Sequence, residues 1–160
     1  MDVIRPWMVT VAIAIVLGGA VGSIAPPNGI RWFNRLKRPR WLTFEKLIPI
    51  IWTFVFVCAA FSAATVWNRD PGSSRIWTFM GVYLLLELVT LAYNPVMLMR
   101  RSLMTGTIIG GIGFLIGLGL AIAVWSIDPK ATFLLVPYLI WTPIGTYTTW
   151  AMAKLNPLDT

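Results

Sequence analysis

Apolar runs and short polar breaks alternate along the whole chain. Five of the runs are about as long as the roughly 20 apolar residues that a helix needs to cross a bilayer, and turn-forming or charged residues separate them. We place the runs at residues 7–24, 46–67, 75–99, 103–125 and 131–153. The pattern predicts an all-α membrane protein, a bundle of five transmembrane helices that forms a single domain over residues 1–160.

The longest polar break, residues 25–45, is predicted to be the one substantial loop, because its prolines and basic residues would not be accepted in a bilayer core. An odd number of crossings places the two termini on opposite sides of the membrane. Nine of the thirteen basic residues then lie on the side of this loop and of the C-terminus. Since basic loops concentrate in the cytoplasm, we expect a multi-pass protein with a non-cytoplasmic N-terminus and a cytoplasmic long loop and C-terminus.

Composition narrows the possible chemistry. The chain is 58% apolar and 12% charged, it has no histidine, and its single cysteine, Cys58, lies inside an apolar run. The usual ligands of zinc and haem are therefore scarce, and we expect no metal site, no catalytic residue and no covalently bound cofactor. The net charge of +7 is explained by basic loops beside apolar runs, so the expected partner is membrane lipid and not nucleic acid.

Glycines in the fourth run are spaced for close helix packing. Gly106 and Gly110 are four residues apart, as are Gly113 and Gly117, and residues 18 and 22 repeat the spacing in the first run. Small residues at this spacing let helix backbones approach closely in lipid. Two interpretations are open: close packing within one bundle, or the contact surface of a homodimer.

Three kinds of residue in the middle of the runs could carry function. Trp52 and Trp141 lie about one to three turns inside their runs, where an indole N–H needs an internal partner. Prolines interrupt helical hydrogen bonding in the same layer and often border cavities. Glu87 is the only acidic residue deep in an apolar run, and such a carboxyl normally faces the bundle interior, a partner or a ligand. A pocket for a flat aromatic ligand is one interpretation; core filling by the tryptophans and a structural role for Glu87 are the others.

Several motifs together resemble one known family. Residues 31–33 read RWF and residues 36–41 read LKRPRW, and Trp52 follows eleven residues later. Residues 92–96 (AYNPV) and 137–141 (PYLIW) extend the likeness towards the C-terminus. This combination resembles the tryptophan-rich sensory protein family, also called the translocator protein or peripheral-type benzodiazepine receptor family, over nearly the whole chain.

The resemblance implies five helices around a pocket beneath the first loop, which binds porphyrins and related tetrapyrroles, commonly in a homodimer. Carried onto this chain, it implies a set of ligand-binding residues and a set of basic loop contacts for ligand carboxylates. The first set is Trp32, Trp41, Trp52, Glu87, Thr90, Tyr93, Trp141, Gly145 and Thr149, and the second is Arg31, Arg35 and Lys37. Thr90, Tyr93 and Thr149 replace the family's usual asparagine, tryptophan and asparagine, which leaves the ligand preference open.

Three functions follow as hypotheses. The first is a tetrapyrrole-binding sensor or regulator. The second is an enzyme that degrades protoporphyrin in light, as some bacterial relatives are described to do, with Trp52 and Trp141 taking part. The third is a small structural subunit that joins a larger membrane complex through its glycine-rich fourth helix.

Overall fold

The computed structural model describes residues 5–159, with the backbone alone at residues 21 and 22. This part of the chain forms six α-helices and one 3-10 turn and contains no strand. The 3-10 turn, Glu45–Leu47, leads directly into the third α-helix. The α-helices are α1 (Pro6–Gly22), α2 (Pro27–Arg35), α3 (Ile48–Trp67), α4 (Ser74–Arg100), α5 (Leu103–Trp125) and α6 (Pro129–Leu155).

Three helical segments of the described chain are long and apolar enough to cross a membrane: α3 with its 3-10 turn (Glu45–Trp67), α4 and α5. Their bounds lie within one or two residues of three of the predicted apolar runs. The first helix is apolar but shorter, and α6 has 27 residues with several threonines and a terminal lysine. The protein is thus an all-helical membrane protein with three clear candidate spans.

The predicted loop of residues 25–45 is in part a helix, α2, and this corrects the sequence-based expectation. Pro27 stands in the first turn of α2, where its missing N–H is not needed. Gly29 and Trp32 are buried, and a Cβ on Gly29 would collide with the carbonyl oxygen of Leu98 in α4. The helix is therefore amphipathic and packs on the C-terminal end of α4. Residues 25, 26 and 36–44 lack regular helix, and residues 36–44 are here called the cover segment.

Short turns join the remaining helices, and side chains cap their first turns. The Ser73 hydroxyl accepts a hydrogen bond from the Ile76 N–H at 3.2 Å, and the Ser102 hydroxyl accepts one from Thr105 at 3.1 Å. Arg101 has a φ of 49° and ends α4 in the left-handed conformation. These caps satisfy backbone groups that a helix end leaves unpaired.

The glycine stripe of α5 faces α6 within the same chain. A Cβ on Gly117 would lie 2.5 Å from Cε1 of Tyr138, and one on Gly113 would lie 2.9 Å from the Tyr138 hydroxyl. Gly110 closely faces Thr146 in the same way. Of the two interpretations of these spacings, close packing within one bundle is therefore the correct one for α5. Gly18 meets only open space, and the surroundings of residue 22 are not among those described.

The helices close into a ring in which α5 lies between α4 and α6, and α1 packs against α3 and α4. The loop side of the bundle holds α2, the cover segment and the C-terminal ends of α4 and α6; the far side is the opposite end. Buried Ser62 joins three helices near the far side. Its hydroxyl donates to the Ala131 carbonyl at 2.7 Å and lies 2.6 Å from the Tyr83 hydroxyl, so Tyr83 is the donor to Ser62.

Candidate functional site

Two cavities lie inside the bundle, one in each half. The loop-side cavity has a volume of about 270 Å³ and is lined by the cover segment and by residues of α2 to α6. The far-side cavity has a volume of about 620 Å³ and lies between α1, α3 and α4. Thr90 and Tyr138 line both cavities, and their hydroxyl oxygens are 3.2 Å apart. This hydrogen-bonded pair forms the partition between the two.

Most of the residues expected to bind a ligand line the loop-side cavity. Six of the nine do so: Trp52, Thr90, Tyr93, Trp141, Gly145 and Thr149. They come from α3, α4 and α6, whose packing brings distant parts of the sequence to one space. The structure thus brings these six residues together at the loop-side cavity.

Hydrogen bonds fix some of these side chains and leave others open. Tyr93 and Thr149 are hydrogen-bonded through their hydroxyls, and Thr149 also donates to the Gly145 carbonyl at 3.2 Å. In contrast, Nε1 of Trp141 and the Oγ1 atoms of Thr142 and Thr146 are buried and have no hydrogen-bond partner among the described residues. Buried polar atoms without partners are rare in folded proteins, so these three mark a place where a polar ligand group would be stabilised.

Aromatic rings form much of the wall. The Phe44 ring meets Trp141 edge-on, with centroids 6.1 Å apart at 62°, and Trp52 meets Tyr138 in the same manner at 6.4 Å and 63°. Such edge-to-face pairs hold the rings at fixed angles. The cavity therefore offers rigid apolar faces together with three unpaired polar atoms.

Three expected ligand-binding residues lie elsewhere. Trp32 lies on the buried face of α2. Its Nε1 donates to the Asp159 carboxylate at 2.6 Å, so it contacts the C-terminal segment and not a cavity. Trp41 stacks on Tyr147 at 5.9 Å and is 43% exposed. Glu87 lines the far-side cavity. The structure therefore places these three residues outside the lining of the loop-side cavity.

The three basic residues expected to contact ligand carboxylates are exposed and do not line either cavity: Arg31, Arg35 and Lys37. They lie on α2 and on the cover segment, which border the loop-side cavity. The basic side chain that turns inward there is Arg38, whose guanidinium donates to the carbonyls of Phe33 at 2.8 Å and Leu36 at 2.7 Å. Arg38 thus braces the cover segment from within.

The cover segment is also attached to the end of α6. The Lys37 N–H donates to the Asn156 side-chain oxygen at 2.9 Å, and the Asn156 amide donates back to the Lys37 carbonyl at 3.0 Å. Asn156 is buried. This reciprocal pair of hydrogen bonds resembles the pairing between two β-strands and holds the cover segment over the cavity.

Sequence reasoning missed several lining residues on α6, among them Tyr138 and Thr146. A signal for both was present, because positions 138, 141, 142, 145, 146 and 149 are three or four residues apart and so share one face of a helix. The expected residues Trp141, Gly145 and Thr149 belong to the same face. Extending the face by one turn would have found Tyr138.

An ion pair outside the two cavities joins the end of α3 to the start of α6 on the far side of the bundle. Arg69, after α3, donates through Nε and Nη2 to Oδ2 of Asp128 at 2.8 and 2.5 Å, and Oδ1 accepts from the Lys130 N–H at 2.8 Å. Burial alone would raise the pKa of Asp128, but the hydrogen bonds and charge of Arg69 and the backbone N–H donors lower it below its ordinary value. Asp128 is therefore held as a carboxylate at the start of α6.

Comparison with known proteins gives a consistent result. The model of the TspO/MBR family matches residues 9–155. Protein CrtK of Rhodobacter capsulatus is 23% identical over 145 residues, which cover 91% of this chain and 89% of that protein. The tryptophan-rich protein TspO of Bacillus cereus is 24% identical, with 85% and 88% covered. The translocator protein of Homo sapiens is 24% identical, with 91% and 90% covered.

Proposed function

The chain belongs to the TspO/MBR family, whose model covers residues 9–155, and from this premise we propose that it is a membrane-embedded sensor or regulator that binds a tetrapyrrole in the loop-side cavity. The observation that carries the proposal is the unpaired Nε1–H of Trp141 inside an aromatic cavity. A porphyrin has flat apolar faces and carboxylates at its edge. Trp52 and Trp141 would contact the ring, while the indole N–H and the Thr146 hydroxyl would donate to its polar groups.

The size of the cavity adds a requirement. Its volume of about 270 Å³ is just below the roughly 300–1,000 Å³ of most ligand pockets. A tetrapyrrole therefore needs more room than the cavity has while the cover segment lies over it. The cover segment is the part of the wall without regular helix. We therefore propose that residues 36–44 move aside when the ligand enters.

Movement of the cover segment would also bring cations to the ligand. Arg31, Arg35 and Lys37 are exposed beside the mouth of the cavity. Carboxylates at the edge of a bound ring would then meet guanidinium and ammonium groups at the rim and form charge-assisted hydrogen bonds, which are stronger than neutral ones. This arrangement supports an anionic tetrapyrrole over a neutral aromatic molecule.

The proposal includes a topology with five crossings, in which α1 and α6 span the bilayer beside α3, α4 and α5. The excess of basic residues on the loop side supports a cytoplasmic cover segment and C-terminus. Protease protection in sealed vesicles tests this orientation. Cleavage near residues 36–44 by protease added only to the non-cytoplasmic side would contradict it.

The decisive test is a titration of the protein in nanodiscs with protoporphyrin, haem and an open-chain bilin, followed by tryptophan quenching and ligand absorption. We expect saturable binding of at least one tetrapyrrole, weakened about tenfold by Trp141→Phe, which removes the N–H donor. Trp7→Phe is the matched control, because Trp7 stacks on Phe61 outside the cavity. Equal quenching in both variants would mean that the ligand only partitions into lipid, and the proposal would fail.

Two further readouts separate the sensor from its rivals. A ligand spectrum that is stable under illumination supports sensing, whereas bleaching that requires Trp52 and Trp141 supports light-dependent degradation. Native electrophoresis after mild solubilisation tests the proposed homodimer. Migration only within a larger assembly would favour the structural subunit.

A further inference from the structure

The far-side cavity is larger than the proposed tetrapyrrole site and has a different lining. Its volume of about 620 Å³ lies within the roughly 300–1,000 Å³ that ligand pockets occupy. The lining is almost entirely aliphatic and aromatic, and none of its residues is basic. The cavity is therefore large enough for a ligand, and its chemistry is set by very few polar atoms.

Nearly all the hydroxyls of this lining are already engaged. Thr10 donates to the Ala60 carbonyl at 2.9 Å, Tyr83 bonds Ser62, and Thr90 donates to the Leu86 carbonyl at 2.7 Å. Tyr138 pairs with Thr90. Each of these hydroxyls is thus already hydrogen-bonded within the protein.

Glu87 is the exception. Its Oε1 is buried and has no hydrogen-bond partner among the described residues. Glu87 stands near the middle of α4, where an acidic side chain is costly unless a partner or a ligand accompanies it. The cavity thus contains one unpaired acceptor in an apolar space without a cation.

We propose that the far-side cavity is a second ligand site, which takes an elongated apolar molecule with one protonated amine at its end. The aliphatic body fills the space between α1, α3 and α4, and the ammonium donates to Oε1 of Glu87. Opposite charge supplies the selectivity, because a carboxylate in an apolar space interacts strongly with a cation that it contacts directly. A lipid acyl chain could fill the same volume but would leave the carboxyl unpaired.

The test uses three photoactivatable probes that differ only at the head: octadecylamine, octadecanol and octadecane, each with a diazirine in the chain. After illumination in nanodiscs, crosslinked peptides are identified by mass spectrometry. We expect the amine to label peptides of α1, α3 and α4 at least fivefold more than the alcohol, and unlabelled octadecylamine to compete. Labelling by octadecane with equal yield and without competition would show occupation by lipid chains and overturn the proposal.

Two variants sharpen the result. Glu87→Gln keeps the shape of the side chain but removes its charge, so amine labelling should fall to the level of the alcohol while alcohol labelling stays the same. Gly81 lines the cavity, and a Cβ there would meet nothing within 4 Å. Gly81→Leu should therefore narrow the cavity and reduce amine labelling.

Both variants are checked for protoporphyrin binding, which reports an intact fold and uses the other cavity. Amine labelling that persists undiminished in Glu87→Gln would overturn the proposal. The wild-type comparison of amine with alcohol does not depend on either variant folding. Failure of the tetrapyrrole site would leave this comparison unaffected, so the two proposals can fail separately.

Discussion

The cavities in the two halves of the bundle differ in their unpaired polar atoms. On the loop side, the unpaired polar atoms include the Trp141 N–H donor, under a cover fixed by hydrogen bonds. On the far side, the unpaired atom is an acceptor, Oε1 of Glu87, in a larger apolar space. One bundle thus presents a buried unpaired N–H donor at one end and a buried unpaired carboxyl oxygen at the other.

The largest expected loss of stability comes from a substitution at the contact between α5 and α6, which both halves of the bundle share. Gly117→Val would place its side chain within 2.5 Å of the Tyr138 ring, so we expect a loss of about 3 kcal/mol from overpacking and a melting temperature lower by about 6–12 °C. Gly119→Val is the matched control, since a Cβ there meets only open space. Scanning fluorimetry in detergent measures both. Equal destabilisation by the two variants would show that α5 does not face α6 through Gly117.

A somewhat smaller loss of stability is expected from a substitution in the far half of the bundle. Asp128→Asn removes the charge that pairs with Arg69, and we expect a loss of about 1–2 kcal/mol. Because the folded pKa of Asp128 is lowered, its contribution is complete above the ordinary value of about 4 and is lost as the pH falls through the lowered value. The wild-type melting temperature should therefore fall more steeply than that of Asp128→Asn in acid.

Asp70→Asn serves as the control for this acid titration, because Asp70 is exposed. Protoporphyrin affinity should be unchanged in Asp128→Asn, since the ion pair is remote from the loop-side cavity. Parallel acid curves for wild type and Asp128→Asn would contradict the assigned role of the ion pair.

The third prediction concerns the loop half alone. Asn156→Ala removes both hydrogen bonds to Lys37 and should lower the free energy needed to open the cover segment by about 1 kcal/mol. Protoporphyrin association, followed by stopped-flow quenching, should become about fivefold faster. Asn34→Ala on the exposed face of α2 should leave the rate unchanged. An unchanged rate in Asn156→Ala would mean that the ligand enters by another route.

The smallest effect tests whether the cavities are separate. Tyr138→Phe removes the hydrogen bond across the partition, but Thr90 keeps its bond to the Leu86 carbonyl, so we expect a loss of only about 0.5 kcal/mol. Protoporphyrin and octadecylamine should each bind within about twofold of their wild-type affinities. Tyr147→Phe, at an exposed tyrosine, is the control. A large change in both affinities would make the two cavities one site.

The long apolar runs predicted the bounds of α3, α4 and α5 closely, because length and hydropathy alone define a membrane helix. They missed α2, since the prolines and cations of residues 25–45 indicated a loop. What makes α2 a helix is the burial of Gly29 and Trp32 against the end of α4, a contact between segments about 70 residues apart that no local pattern contains.

The same limit applies to the candidate site. The face of α6 that carries Trp141, Gly145 and Thr149 could be predicted, because its spacing is local. The position of Glu87 could not, since Glu87 shares a face of α4 with Thr90, and the sequence does not show that Thr90 stands at the boundary between two cavities. The attachment of the cover segment to Asn156 also joins residues 119 positions apart, and only the folded chain shows it.

Residues 156–159 hold the loop side together, and they are synthesised after the residues that they contact there. Asp159 accepts hydrogen bonds from Trp32 at 2.6 Å and from the Leu103 backbone at 3.1 Å, and Asn156 secures Lys37. At about 5–20 residues per second, Asp159 leaves the peptidyl transferase centre roughly 3–11 s after Leu103. A nascent chain therefore cannot complete its loop side until residues 156–159 have left the ribosome.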